Sequence, residues 1–575
     1  MGRLFTVTFV TLLTLAWTSP PPVKSPVKKT LPRLTPQGAP SPRSIILDRL
    51  HAPALGPEDP LPPQDEAEAN VMCLECAIAF DFLTAEMKEG VGYDTLVKEA
   101  IAVCVTVTGM TKVYCDGFIP LVAPAVYHIL STNNISASDA CGEVMSSIGC
   151  TSTNPDREWS VTLQGTKPPI QPIVLPKVYR IQRRKRRGTG EITGTVVHLP
   201  GCWRTCWLTS PSPTRYGLCY TFPDIDYVVW TGDVVPHNMW STSKEWNLRM
   251  VRETYEMVRK YFPNTPIFPV VGNHEMSPID QFPNPNAEDT PQDLAATWLY
   301  QGLIEQWSHL VPHLDNSTVM RGAYYSVLVK PGFRIISFNT MFGYATNLWL
   351  VENSQDPGDE LAWLEEELNK AEAAGELVHL LGHVPPGLIS TERTWSREYN
   401  KIVVRYENII RGQFYGHTHY DEVEIFHDGD RPVSVAYICP SQTPWYYLNP
   451  AYRIYHVDGD RENTTRLVLD HETYIMNLTE AQETGLVRWY QLYSAREQYG
   501  MTSLTPADWE DLAHRMAEDR ELFDMYFRNY VSAGDPFLEV TCDDLCYEKL
   551  LCGIVTSNRN DLDQCLAILQ RKRRL

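Results

Sequence analysis

Four times between residues 227 and 419 the chain repeats one pattern: a short apolar run, a glycine, then a side chain able to bind a cation. The runs are Tyr227–Asp233 (YVVWTGD), Ile267–Glu275 (IFPVVGNHE), Leu377–His383 (LVHLLGH) and Gln413–His419 (QFYGHTH). Short apolar stretches bounded by glycine read as buried strands. A glycine at the strand end lets the backbone turn so that the next side chain points into a shared crevice, and strand-end loops are where such folds place their chemistry. The pattern therefore commits this region to an α/β fold that gathers Asp, Asn and His at one edge. These residue types suit Zn2+ or a similar cation. A carboxylate such as Asp233 can bridge two metals about 3.5–4 Å apart, and a pair so held clamps the attacking and leaving oxygens of a displacement at phosphorus. His379, mid-strand among leucines, reads instead as a core histidine with its hydrogen bonds satisfied.

Charge narrows the partners. The 575 residues include 50 Lys and Arg against 70 Asp and Glu, a formal charge of −20. Such a surface repels phosphate backbones and excludes nucleic acid as the main partner. Residues 1–19 read as a secretory signal peptide, with an apolar stretch Leu4–Trp17 behind Arg3. That stretch is shorter than the ~20 residues of a membrane span, and no other span is expected. Fourteen cysteines and the sequons at Asn134, Asn316, Asn463 and Asn477 fit an oxidising route with glycan attachment. A secreted or lysosomal protein is expected.

Residues 20–68 are rich in proline and poor in aromatics, and read as disordered or polyproline II-like. From 69 to 153 helical periodicity takes over. Val71, Leu74, Ile78 and Leu83 suggest one amphipathic helix, and Thr95–Val107 and Phe118–Leu130 two more. Six cysteines punctuate this block, at Cys73, Cys76, Cys104, Cys115, Cys141 and Cys150. Their even number and secreted setting favour disulfides over a metal site. Spacing and helices together resemble the saposin B-type lipid-binding domain, which implies the pairs Cys73–Cys150, Cys76–Cys141 and Cys104–Cys115. Residues 154–188 form a Pro-rich and basic linker ending near Arg183–Arg187. That basic run is a solvated cluster or a site for a proprotein convertase.

The order GD, GNHE, GH, GHTH resembles the calcineurin-like metallophosphoesterases. Finer stretches resemble the acid sphingomyelinase family: Thr231–Asn238 (TGDVVPHN), Val271–Glu275 (VGNHE), Gly382–Gly387 (GHVPPG), Phe414–Glu422 (FYGHTHYDE), Leu448–Arg453 (LNPAYR) and Leu469–Tyr474 (LDHETY). The resemblance implies an αββα metallophosphoesterase sandwich over 189–466 and a helical C-terminal region over 467–575. In that region Cys542 and Cys546, and Cys552 and Cys565, look like two local disulfides. It implies two zinc ions bridged by Asp233, with Asn273, His383 and His417 on one ion and His419 on the other. His237 and His274 would be non-ligand histidines that protonate the leaving oxygen. The implied reaction is hydrolysis of sphingomyelin to ceramide and phosphocholine under acidic conditions, at a membrane lipid surface.

The pattern breaks in one place. Metallophosphoesterases open with a strand followed by Asp-x-His. Here Thr195–Leu199 fits the strand, but Pro200-Gly201-Cys202 follows, and no Asp-x-His occurs before Asp233. Two explanations stand: a segment absent from this form of the chain, or a departure leaving one metal with only Asp233 and His419. Zinc usually takes at least three protein ligands, so the second would give a catalytically impaired lipid-binding protein. Cys202, Cys206, Cys219 and Cys439 have no pairing that the sequence justifies. Trp445, Tyr446, Tyr447, Tyr452 and Tyr455 crowd the stretch after the last ligand. Trp445 and Tyr447 are the candidates for cation–π contact with choline, and core packing is the expected use of most of the others.

Overall fold

The computed structural model describes residues 66–107, 110–152, 154–175, 193–199, 225–539 and 542–572. The expected signal peptide, the proline-rich segment up to residue 65, the basic run Arg183–Arg187, and Cys202, Cys206 and Cys219 lie outside the described residues.

The N-terminal module has four helices: α1 (Glu66–Lys88), α2 (Tyr93–Val107), α3 (Lys112–Thr132) and α4 (Ala137–Val144). Thr111 and Ser136 cap α3 and α4 by accepting from the amides of Tyr114 and Asp139. Three disulfides staple the module with the expected pairing, Cys73–Cys150, Cys76–Cys141 and Cys104–Cys115. The buried side of α1 differs from the expected one. Cys76, Ala79 and Phe80 are buried, whereas Val71 and Leu74 are 53% and 61% exposed, because the disulfides turn the cysteine face inward. Among the described residues one helix, α3, is long and apolar enough to cross a membrane by length and composition alone, a test that the core helix of a folded domain also passes. Here it is held by Cys104–Cys115 and buries Phe118, Ile119, Val122 and Ile129.

The core is a four-layer sandwich. One sheet runs β12-β11-β10-β1-β2-β3, with β1 (Thr193–Leu199), β2 (Tyr227–Trp230), β3 (Ile267–Pro269), β10 (Ala451–Asp458), β11 (Val468–Ile475) and β12 (Tyr490–Ser494). The other runs β4-β5-β6-β7-β9-β8, with β4 (Tyr325–Lys330), β5 (Phe333–Ser337), β6 (Leu377–Leu381), β7 (Ile410–Tyr415), β8 (Glu422–Asp428) and β9 (Arg431–Ile438). In each sheet the strands that precede the ligand loops are parallel: β1, β2 and β3 in one, β5, β6, β7 and β9 in the other. Their continuous apolar runs fit burial on both faces. Helices Lys244–Tyr261 and Thr297–Trp307 cover the first sheet through Met250, Tyr255, Leu299 and Leu303. Helices Glu360–Ala374 and Arg393–Arg405 cover the second through Leu364, Leu368, Tyr399 and Ile402.

The sheet continues beyond residue 466. Strands β11 and β12 extend the first sheet by antiparallel pairing with β10 and with each other, so the C-terminal region begins as strand and becomes helical from Pro506–Glu518 onward. Alternation in LDHETY is masked because β11 is buried on both faces; Asp470 and Thr473 find hydrogen-bond partners inside, and the His471 ring packs among aromatic rings, parallel to Trp509 at 6.0 Å. The two local disulfides Cys542–Cys546 and Cys552–Cys565 are present, and Cys439 is buried.

Residues 154–175 strap the module to the core. Trp159 is buried, Val161 N donates to Glu398 (3.2 Å), and Gln171 N donates to Asn408 (3.0 Å). The module docks directly as well. A Cβ on Gly117 would lie 2.0 Å from the Trp240 carbonyl oxygen, so only glycine lets α3 approach that closely, and Tyr114 packs on the Trp240 ring at 5.7 Å.

Candidate metal centre

The four loops that carry the expected ligands leave the C-terminal ends of β2, β3, β6 and β7, two from each sheet, and meet above the seam. Asp233, Asn273, His274, His383, His417 and His419 are all buried. Asp233, His417 and His419 sit in the left-handed region with φ of 61°, 68° and 67°. Strain of this kind persists only where the surroundings over-determine it, and here it turns three side chains inward.

Gly272 shows how tightly the loops close. A Cβ there would lie 2.2 Å from Asp233 Oδ1. The Glu275 carboxylate then locks the two loops together, accepting from Asp233 N (3.0 Å), Gly272 N (2.7 Å) and Val234 N. Asn247, on the helix Lys244–Tyr261, donates to the carbonyls of Glu275 and Met276, each at 3.1 Å.

The polar geometry is one of converging lone pairs. Asn273 donates its amide to Asp280 Oδ1 (2.9 Å), which points its Oδ1 oxygen inward. His383 gives its Nδ1 proton to the Thr231 carbonyl, leaving Nε2 to face Asp233 Oδ2 (3.1 Å) and Asn273 Oδ1 (3.0 Å). His417 Nδ1 lies 3.2 Å from His383 Nε2 and 3.3 Å from Asn273 Oδ1. Carboxylate, amide oxygen and two imidazole nitrogens thus crowd together, an arrangement that a cation or an extra proton must relieve. Asp233, His383 and His417 offer atoms all within 4.8 Å of one another. Burial alone would raise the Asp233 carboxyl, but His383 and His274 outweigh it and hold the carboxyl well below its usual range. Burial would likewise lower His383, and Asp233 reverses this to a net rise. This donor set fits a divalent cation.

On the far side of Asp233, His419 is held well below the usual imidazole range by burial and then by His237. Its Nδ1 is buried with no hydrogen-bond partner among the described residues. Neutral, with a lone pair inward, it fits a second cation. His237 lies against His274 (ring centroids 4.4 Å) and His419 (5.1 Å) and stacks on Trp445 (4.8 Å, 13° between planes). Trp445 therefore reaches the centre, while Tyr447 is partly buried against the main core. His379 is the satisfied core histidine expected of it, accepting from Tyr227 OH and donating to Arg466 O, each at 2.8 Å. All four sequon asparagines lie in the described part; Asn134, Asn316 and Asn463 are exposed and Asn477 is half-buried.

Sequence reasoning missed the residues that aim the ligands: Glu275, Asn247, Asp280 and, behind His419, the pair Asp421 and Arg453. Only Glu275 carried a signal, as the last residue of GNHE. No described residue supplies a third protein ligand beside Asp233 and His419 in place of the Asp-x-His motif, and the residues after Leu199 lie outside the described part.

Comparison with known proteins agrees with this geometry. Residues 216–421 match the calcineurin-like phosphoesterase family, and residues 431–572 match the acid sphingomyelin phosphodiesterase C-terminal region. Sphingomyelin phosphodiesterase 2 of Caenorhabditis elegans is 30% identical over 552 residues, covering 86% of this chain and 88% of that protein. The chain belongs to the sphingomyelin phosphodiesterase family. The Bos taurus and Homo sapiens sphingomyelin phosphodiesterases are 41% and 39% identical over 344 residues, which is 59% of this chain in each case. The chain spans about half the length of these two curated relatives, 54% and 53%. Among solved structures, a dimetal phosphatase of Danio rerio aligns with 49% of this family member at 11% identity and a TM-score of 0.33.

Proposed function

We propose that this chain is a zinc-dependent phosphodiesterase that hydrolyses sphingomyelin to ceramide and phosphocholine under acidic conditions, in a secreted or lysosomal setting. The observation that carries this reading is the crowd of inward lone pairs from Asp233, Asn273, His383 and His417 at the meeting edge of two sheets. The relatives' names supply the substrate.

Asn273, His383 and His417 would hold one ion, His419 the other, and Asp233 both. Bound there, the cations supply positive charge to the phosphoryl oxygens and a nucleophile from water. The protein's own part is orientation and proton supply. Glu275 and Asn247 keep the two loops in register, so that the phosphodiester meets a fixed edge. His237 and His274, with ring centroids 4.4 Å apart, are placed to hand a proton to the departing ceramide oxygen. Trp445, stacked on His237, offers an aromatic face to the choline ammonium. In the helical module, Leu83, Met87, Tyr93, Val97, Val126 and Tyr127 line an apolar groove suited to acyl chains.

The test is turnover of labelled sphingomyelin at pH ~5, with zinc added and then chelated. Chelator-sensitive release of phosphocholine supports the reading. A second reading is favoured by the missing Asp-x-His: a catalytically impaired lipid-binding relative. The end of β1 at Leu199 pairs beside Trp230, the residue at the end of β2, so a ligand missing there leaves the Asp233–His419 side short. About two zinc per chain lost on the substitution Asp233→Asn supports the enzyme; none lost, together with no turnover by the wild type, supports the lipid-binding protein.

A further inference from the structure

Where the helical module meets the core, a second group of metal-binding side chains converges, outside the centre described above. We propose that His128, Asp289 and Glu352 form a divalent-cation site, best suited to zinc, that pins the module to the catalytic domain. The three come from separate elements: His128 from α3, Asp289 from the loop before helix Thr297–Trp307, and Glu352 from the turn after residues Leu348–Val351. Their ligand atoms lie within 4.8 Å of one another. One imidazole and two carboxylates are a usual protein ligand set for zinc, with water completing the coordination.

A further observation points to a ligand. His128 Nε2 is buried with no hydrogen-bond partner among the described residues, although polar atoms in such positions are nearly always paired. The ring is fixed from behind by Trp349, 5.7 Å away, itself packed into the module's core with Leu348 and Val351. Glu352 is also aimed across the seam, where Asn133 of the module donates to its Oε1 at 2.8 Å. A cation here would tie α3 to two separate loops of the core. Two carboxylates beside one imidazole leave net negative charge at a contact that must otherwise hold without it.

The experiment uses the full chain, equilibrated with Zn2+ and freed of excess, and compares wild type with Asp289→Asn and His128→Gln by elemental analysis. Asp289 is exposed, so its replacement leaves the folded state intact, which a thermal melt verifies. The expected result is one zinc fewer per chain in both variants, with activity-site zinc retained. Zinc should also slow amide hydrogen exchange in α3 and Leu348–Val351 in wild type and not in Asp289→Asn. Equal zinc content in wild type and folded Asp289→Asn overturns the proposal, whatever the activity of either protein.

Discussion

At the residue scale the centre is governed by distances that leave no slack. Gly272→Ala would place a methyl group 2.2 Å from Asp233 Oδ1 and 2.6 Å from Asp233 N. Because Asp233 is the shared ligand in the proposed centre, a shift of its loop is expected to lower kcat about 100-fold and to reduce bound metal, with the far-ultraviolet spectrum unchanged. Steady-state kinetics and metal analysis of the purified variant check both. Trp445 makes a different contribution, because it stacks on His237. Trp445→Ala should raise KM for sphingomyelin more than for a choline-free phosphodiester, by about 2- to 30-fold if one cation–π contact of ~0.5–2 kcal/mol is lost. Equal losses on both substrates would place Trp445 in packing around His237 and leave choline without its aromatic face.

At the scale of elements, the loop carrying His417 and His419 is braced from behind by a buried ion pair. The Arg453 guanidinium, fully buried on β10, binds Asp421. Asp421 also accepts from Thr473 Oγ1 of β11 (2.9 Å) and Tyr493 OH of β12 (2.7 Å). Strands from the C-terminal region thus hold a loop from the other sheet. Arg453→Met alone strands a buried carboxylate and is expected to cost about 3–5 kcal/mol in chemical denaturation. Adding Asp421→Asn should recover part of that loss, since breaking a buried pair is worse than replacing both partners. The brace explains why β11 tolerates Thr473 in a buried strand, since Thr473 bonds Asp421; beside it Asp470 takes Ser494 Oγ at 2.9 Å and Glu472 takes Tyr474 OH at 2.6 Å. Periodicity could not reveal the brace or the Asp470 bond, because these link residues 24 or more apart in sequence.

For the whole molecule, docking of the helical module carries its own pH dependence. Glu143 on α4 is buried, and its carboxyl is pushed from an ordinary 4.5 up to about 8, by burial first and Glu392 of the core second, against the pull of Arg157 and Arg559. The folded state therefore binds this proton more tightly than the unfolded chain. Stability is fully present below pH 4.5, falls as pH rises from 4.5, and levels off above about 8. The docked form is favoured in acid. Glu143→Gln should flatten that dependence and raise the melting temperature at pH 8 relative to wild type, with little change at pH 4. Melts across this pH range check it, and a parallel decline in both proteins would assign the pH dependence to other groups.

The chemistry on offer was legible along the chain: four glycine-terminated runs naming Asp233, Asn273, His383, His417 and His419, and the cysteine spacing that, with its family resemblance, implied the five disulfides seen among the described residues. These were legible because each is a local signal, a buried strand, a turn and one side chain within a few residues. Only the tertiary structure decided which groups aim those ligands, where the sheet ends, and how the module sits. Glu275, Asp280, Asn247 and the Arg453–Asp421 brace act through hydrogen bonds whose partners the fold alone brings near. The seam of His128, Asp289 and Glu352 exists only because three separate segments pack together. Strand and turn preferences are written along the chain, whereas the pairing of buried polar groups depends on distances that no stretch of sequence contains.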